Sequence, residues 1–190
     1  MSPVTHFLVG WMVASAAELN RRERALVAIA GIAPDADGLG IVVEFCTRGT
    51  QHELNWWSDY HHVLGHNLTF ALFITALAVP FAQHRWKVAA LVLLSFHLHL
   101  FCDLVGARGP DGHIWDIPYL WPGSKALTLA WSGQWKLNAW PNFVLTAGLI
   151  AMTLRLAWRR GYSPLEMVSS RADAAVVATL RRRFPAGEKK

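Results

Sequence analysis

Five short apolar stretches punctuate the chain, at Phe7–Leu19, Ala25–Ala33, Leu68–Ala82, Val88–Cys102 and Phe143–Trp158. Ala, Leu, Val, Phe and Ile fill them with little polar interruption, a pattern that predicts mostly helical segments. A full membrane crossing takes about 20 residues, in a range of about 17–25, and all five fall short of it. Three arrangements fit: spans extended by flanking Trp and His, a bundle partly sunk in lipid, or the core of a soluble protein. The stretch Ala25–Ala33 is too short to span alone.

The polar residues between these stretches sort by type. Arg21, Arg22 and Arg24 separate the first two stretches, Arg85 and Lys87 lie in the turn between the third and fourth, and Arg155, Arg159 and Arg160 close the fifth. His6 opens the first stretch, Asp35 and Asp37 follow the second, His61, His62 and His66 precede the third, and His99 and Asp103 end the fourth. In an up-and-down bundle with short connections, every basic turn falls at one end and every His/Asp cluster at the other. The positive-inside rule then places the basic end in the cytoplasm. Two long polar connections, residues 38–60 and 104–142, belong to the His/Asp end. The second carries Trp115, Trp121, Trp131, Trp135 and Trp140, a density that suits either a membrane interface or a loop packed on its own aromatic rings.

Composition narrows the class. Apolar residues make up 53% of the 190 and charged residues 16%, against a usual charged share of about 25%. That excludes a disordered chain and argues against an ordinary soluble enzyme. Cys46 and Cys102 are too few for a disulfide framework or a Cys-rich zinc module. Residues 151–190 hold nine Lys/Arg against three Asp/Glu, whereas residues 1–150 hold nine against ten. The basic character therefore belongs to a C-terminal tail, 161–190, that follows a domain of residues 1–160. A nucleic-acid partner would call for basic residues along a folded face and a recognisable motif. Neither is visible, and anionic membrane lipid is the better match. The N-terminus shows no basic n-region or convincing cleavage site and reads as mature protein.

Metal chemistry is the strongest signal. His99 and Asp103 are four apart, so on a helix they share a face and can meet at one ion. Imidazole plus carboxylate suits zinc or another borderline divalent metal. His97 lies about 200° round the helix from His99 and faces elsewhere. Asp35 and Asp37 can both reach a cation from the turn that Pro34 introduces, although the spacing does not make an EF-hand. In Tyr60-His61-His62-Val63-Leu64-Gly65-His66, helical spacing pairs His62 with His66, while Gly65 offers a bend that would bring in His61. His6 matters because it falls at the same end. His52, His84 and His113 have no partner at useful spacing. Isolated pairs of this kind also occur as buried hydrogen bonds or turn residues; ionisable groups inside an apolar bundle are costly and mark function. No nucleophile elbow, P-loop or dinucleotide motif competes.

Thr5-His6, Pro34-Asp35-Ala36-Asp37, His61 with His66, His99-x-x-x-Asp103 and Trp121-Pro122-Gly123-Ser124 together resemble the YdjM-type inner-membrane metal-dependent hydrolases of bacteria, over about residues 3–125. That family is grouped distantly with zinc-dependent phospholipase C and the single-strand-specific zinc nucleases. The resemblance implies an all-α, phospholipase C-like bundle at the membrane with long polar loops at the metal end. It implies His6, Asp35, Asp37, His61, His66, His99 and Asp103 as ligands of two or three divalent ions, zinc before others, with Asp37 as ligand or general base. The family usually reads His-Arg-x-x-Thr-His before the third stretch. Here the Arg and Thr are missing, His62 stands as the rival of His61, and a bidentate partner for phosphate is lost.

The implied activity is hydrolysis of a phosphoester, lipid phosphoesters among the candidates, by water activated at a divalent metal. The expected partners are membrane lipid and a small-molecule or lipid phosphoester, with no nucleic acid. Two rival expectations share the same groups: a non-catalytic metal-binding scaffold or stress-related envelope protein, and a proton or metal transporter, against which the short segments argue.

Overall fold

Ser2 and Pro3 start the first helix. The Ser2 hydroxyl accepts from the Thr5 amide and Pro3 occupies the first turn, where its missing N–H costs nothing. The computed structural model describes residues 1–109 and 111–185. Among them lie eight α-helices and no β-strand: α1 (Pro3–Ala16), α2 (Arg21–Ala30), α3 (Gly40–Thr47), α4 (Trp56–Tyr60), α5 (Leu68–Ala78), α6 (Arg85–Gly106), α7 (Trp140–Arg160) and α8 (Ser170–Arg183). The all-α expectation holds.

Local chemistry sets these boundaries. Asn20 and Glu23 form a reciprocal capping box at the start of α2, satisfying two amides that a helix end otherwise leaves open. Pro34 begins a 3-10 turn, Pro34–Leu39, that carries both Asp35 and Asp37. The Asn67 side chain caps α5 through the Phe70 amide. Gly161, at φ +81°, closes α7 in the left-handed conformation that glycine adopts at little steric cost.

Helix α1 packs on α2, α6 and α7, and α6 also packs on α2 and α5. The shared core holds Ala14, Val27, Ala30, Ala78, Val88 and Val92. Small residues let the backbones approach closely, which is how helices associate in lipid, where apolar burial alone gives little driving force. A second core, Ala71, Phe96, Leu100 and Ile117, ties the 107–139 connection to α5 and α6. Outside the bundle, Leu72, Phe73 and Leu77 on α5 and Phe143, Val144 and Ile150 on α7 are exposed. Exposed apolar bands of this extent mark a lipid-facing surface.

The expectation that every segment is too short is corrected. Helices α6 and α7 have 22 and 21 residues and are long and apolar enough to cross a membrane. At 1.5 Å per residue each reaches about 32 Å, matching a hydrocarbon core of about 30 Å. Both continue past the apolar run into Arg, Lys, Trp and Asp residues at their ends, so the run alone underestimates the helix. Helix α2 and the stretch Pro34–Thr47 together also match a span, but meet at a 61° bend. Residues 38–60 are likewise not one polar connection, since α3 and α4 lie within them. Ile41, Val42 and Phe45 on α3 are exposed.

The two ends separate as the sequence pattern anticipates. At the basic end, Asn20 meets Gln83, Lys87 reaches the Glu18 carbonyl, and Arg24 makes a bidentate pair with Glu166 at 2.6 and 2.7 Å. Asp173 accepts from Ser163, and the Trp158 indole donates to the Phe184 carbonyl at 2.7 Å. Helix α8 therefore packs against α7, and the Pro164–Met167 turn packs on α2. Residues 186–190 of the basic tail lie outside the described residues. His84, which has no sequence partner at useful spacing, meets buried Glu23 at 3.1 Å.

Candidate metal centre

Two α-helices, a 3-10 turn and a loop bring His and Asp side chains together at one end of the bundle. His6 comes from the first turns of α1, Asp35 and Asp37 from the Pro34 turn, His61, His62 and His66 from the loop before α5, and His99 with Asp103 from the last turns of α6. His6, His66, His99 and Asp103 are almost fully buried.

Two groups are positioned to hold a metal ion. His6, Asp35, His99 and Asp103 form the first, each offering one donor atom within 4.8 Å of the others, and His62, His66 and Asp103 form the second. Asp103 belongs to both. Its Oδ2 lies 3.0 Å from His99 Nε2 and 3.4 Å from His66 Nε2, and its Oδ1 lies 3.1 Å from His6 Nε2. His99 Nε2 is 3.7 Å from Asp35 Oδ1. The Met1 amino group also contacts Asp103.

The far side of each ring fixes its protons. His99 Nδ1 donates to the Gly31 carbonyl at 2.8 Å, and His66 Nδ1 donates to Asp37 Oδ2 at 3.0 Å. With only these protons, both rings present bare Nε2 atoms, which face each other at 3.1 Å. Two lone pairs this close repel unless a cation or proton stands between them. His6 adds two buried ring nitrogens with no hydrogen-bond partner; its Nε2 is close to Asp103 but poorly aligned for a bond. Asp35 Oδ2 and His62 Nδ1 are likewise buried without a partner. Buried polar atoms are ordinarily satisfied, so this convergence fits a metal ion with nitrogen and oxygen ligands. Oriented imidazoles, each tied through its other nitrogen to a carbonyl or carboxylate, are how protein metal ligands are usually held.

Burial lowers the His66 pKa, but the Asp103 and Asp37 carboxylates that accept from its ring outweigh it and raise the value to about 9. A proton on His66 meets the same demand for positive charge. His62 goes the other way: burial, reinforced by neighbouring His66, lowers it to about 2, leaving a neutral ring.

Asp37 and His61 stand outside both donor groups. The Asp37 carboxylate accepts from His61 Nδ1 at 2.8 Å, from His66 Nδ1, and from the amides of His62 and Gly65 at 3.1 and 2.9 Å. These bonds fold the 61–66 loop over the Pro34 turn. Gly65 is required there, because a Cβ would overlap the Pro34 carbonyl oxygen. His62 takes φ +69°, uncommon for a residue with a Cβ. His97 turns away to the Leu93 carbonyl and the Tyr119 hydroxyl. Trp121-Pro122-Gly123-Ser124 lies off the centre; its Trp121 carbonyl accepts from Thr69 on α5.

Trp57 and Trp115 were not among the sequence-derived candidates, yet they wall the site. Trp57 stacks on His61 at 3.8 Å, and Trp115 meets His62 edge-on at 4.3 Å. Around them lie two cavities. One, of about 330 Å³, reaches Asp35 and Asp103 between Met1, Leu39, Ala107 and Leu137. The other, of about 300 Å³, is bounded by Ser58, Asp59, His113 and Asp116. His61, His62, Trp57 and Trp115 line both. The aromatic pairing of Trp57 with His61, at a spacing of four, was the one available sequence signal for this wall.

No curated protein and no solved structure matches the chain. The family model described as YdjM inner membrane protein matches residues 1–180, well past the 3–125 over which motifs alone carry the resemblance. That match spans all eight helices to within the last turn of α8, and it agrees with the membrane-length α6 and α7: the chain belongs to the YdjM inner membrane protein family.

Proposed function

We propose that the protein is a membrane-bound, metal-dependent hydrolase of a phosphoester. The observation that carries this reading is the 3.1 Å approach of the His66 and His99 Nε2 atoms beside the shared Asp103 carboxylate. His6, Asp35, His99 and Asp103 would hold one ion, and His62, His66 and Asp103 a second, with zinc favoured by the nitrogen-rich, compact donor sets. Such ions supply Lewis acidity and make water nucleophilic near neutral pH.

The remaining residues divide the work. Asp37 positions His66 and His61 through their Nδ1 atoms. His61, held this way, lines both cavities and would give a proton to the departing alcohol as water adds to phosphorus and the phosphorus–oxygen bond breaks. Trp57 and Trp115 restrict water around the reacting group.

The cavities favour an amphiphilic substrate. The one bounded by Met1, Leu39, Ala107 and Leu137 suits an acyl-bearing portion, and the one bounded by Ser58, Asp59, His113 and Asp116 suits a polar headgroup. A phospholipid phosphodiester spans both. With the arginine-rich turns cytoplasmic, the centre works at the opposite membrane face.

The test is metal analysis of the purified protein followed by turnover of glycerophospholipids and water-soluble phosphodiesters, read by phosphorus NMR. Bound zinc together with lipid hydrolysis, both lost in Asp103→Asn, is expected. Bound metal with no turnover on any phosphoester would leave the metal-binding scaffold as the better account.

A further inference from the structure

At the basic end, far from the His/Asp centre, a groove of about 460 Å³ runs between α7 and α8. Leu154, Trp158, Leu180 and Phe184 form its floor, and Arg155 and Arg159 line it from α7. Arg155 and Arg159 are four apart, so their guanidinium groups share one face of α7. Among the described residues neither makes a hydrogen bond or an ion pair. Among the described residues, the carboxylates that follow α7 are committed elsewhere: Glu166 to Arg24, and Asp173 to the Ser163 amide and hydroxyl. Arg181, Arg182 and Arg183 in the last turn of α8 add charge of the same sign. Arg181 is tied to the Trp158 carbonyl at 3.1 Å, which fixes α8 alongside the groove.

The floor continues the exposed apolar face of α7, where Ile150 and Leu154 are open. An acyl chain lying along α7 would therefore run straight into the groove. At its head it would meet two arginines that, among the described residues, pair with no anion. Arginine pairs with phosphate in a planar, two-pronged geometry, and basic pockets between membrane helices select anionic headgroups. Charge complementarity and the apolar floor together call for one molecule with a phosphate at one end and a hydrocarbon tail at the other.

We propose that this groove is a binding site for an anionic glycerophospholipid, its phosphate held by Arg155 and Arg159 and one acyl chain laid over Leu154, Trp158, Leu180 and Phe184. The site is separate from the hydrolytic centre and does not depend on the metal reading.

Native mass spectrometry of the full chain in detergent tests it, with phosphatidylglycerol, phosphatidylethanolamine and inorganic phosphate offered separately. Wild-type protein retains phosphatidylglycerol in preference to phosphatidylethanolamine. Arg155→Gln with Arg159→Gln weakens phosphatidylglycerol retention by about twenty-five-fold, at about fivefold per arginine, and abolishes the preference. Arg48→Gln, at the other end, leaves it intact. The Arg155→Lys/Arg159→Lys variant retains part of the preference, which separates loss of charge from loss of fold, and unchanged thermal unfolding checks the same point. Equal binding of the two lipids by wild type overturns the proposal, as does undiminished phosphatidylglycerol retention in the folded double glutamine variant. Displacement of the lipid by inorganic phosphate at equal concentration would mark a simple anion site and overturn the acyl assignment. A dimer that dissociates in the double variant would mean that a second copy covers the groove, and the lipid site falls.

Discussion

His99 Nε2 lies 3.0 Å from the Oδ2 atom of Asp103, one helical turn further along α6. The pairing follows from α-helix geometry, but its setting is tertiary: the same carboxylate also belongs to the His62–His66 group. Asp103 is therefore the shared element of the centre. Asp103→Asn should empty both groups, and Asp35→Asn only the first. Metal content by plasma mass spectrometry should fall toward zero in the former and by about half in the latter, since Asp35 serves one group of the two.

His61 and His62 separate by role. His62→Ala removes a donor of the second group and should lower metal content. His61→Ala should leave metal content unchanged and reduce turnover by about a hundredfold, within the usual range for loss of a proton donor. His61→Gln, which keeps a hydrogen bond to Asp37, should retain the fold and the metal but not the turnover.

Asp37 accepts from His61 and His66 and lies outside both donor groups. Asp37→Asn should retain metal at high concentration but weaken affinity about 10–100-fold, as loss of such outer partners does. Competition with a graded chelator measures this. Complete loss of metal at all concentrations would make Asp37 a ligand.

The metal-free protein should respond to pH in two opposed ways. His66 is raised to about 9 from 6.5, so it binds a proton more readily folded than unfolded; its stabilisation is present below about 6.5 and lost as pH rises through about 9. His62 is lowered to about 2 from 6.5, so stability falls as pH drops below about 6.5. Thermal unfolding of chelator-treated protein should be highest near pH 6–7. Metal must displace the His66 proton, so apparent metal affinity should rise with pH up to about 9, by about tenfold per unit.

Gly65→Ala forces a Cβ into the Pro34 carbonyl. Overpacking of this kind costs about 1–3 kcal/mol, and here it also pushes the 61–66 loop off Asp37. A lower unfolding temperature together with weaker metal binding is expected, whereas Gly148→Ala, whose Cβ meets no neighbour within 4 Å, should change neither.

Much of the fold and part of the centre can be read from the order of residues. Uninterrupted apolar runs specify helices because backbone hydrogen bonding is local. The alternation of arginine-rich turns with His/Asp-bearing ends specifies which helix ends lie together. The four-residue step from His99 to Asp103 specifies a common face. Helix ends were harder to place, since α6 and α7 carry charged and aromatic residues into their terminal turns, where apolarity stops before the hydrogen bonding does. That His62 rather than His61 joins a donor group depends on the tertiary structure. Outside a helix, a side chain's direction depends on each φ and ψ, and at His62 the backbone turns left-handed where four carboxylate contacts from Asp37 pin the loop. Spacing along the chain carries no information on such a turn. Nor does it show that Trp57 and Trp115 wall the centre or that Asp103 serves two groups. Those arrangements arise where segments distant in sequence pack against one another, and only the packed chain sets their distances.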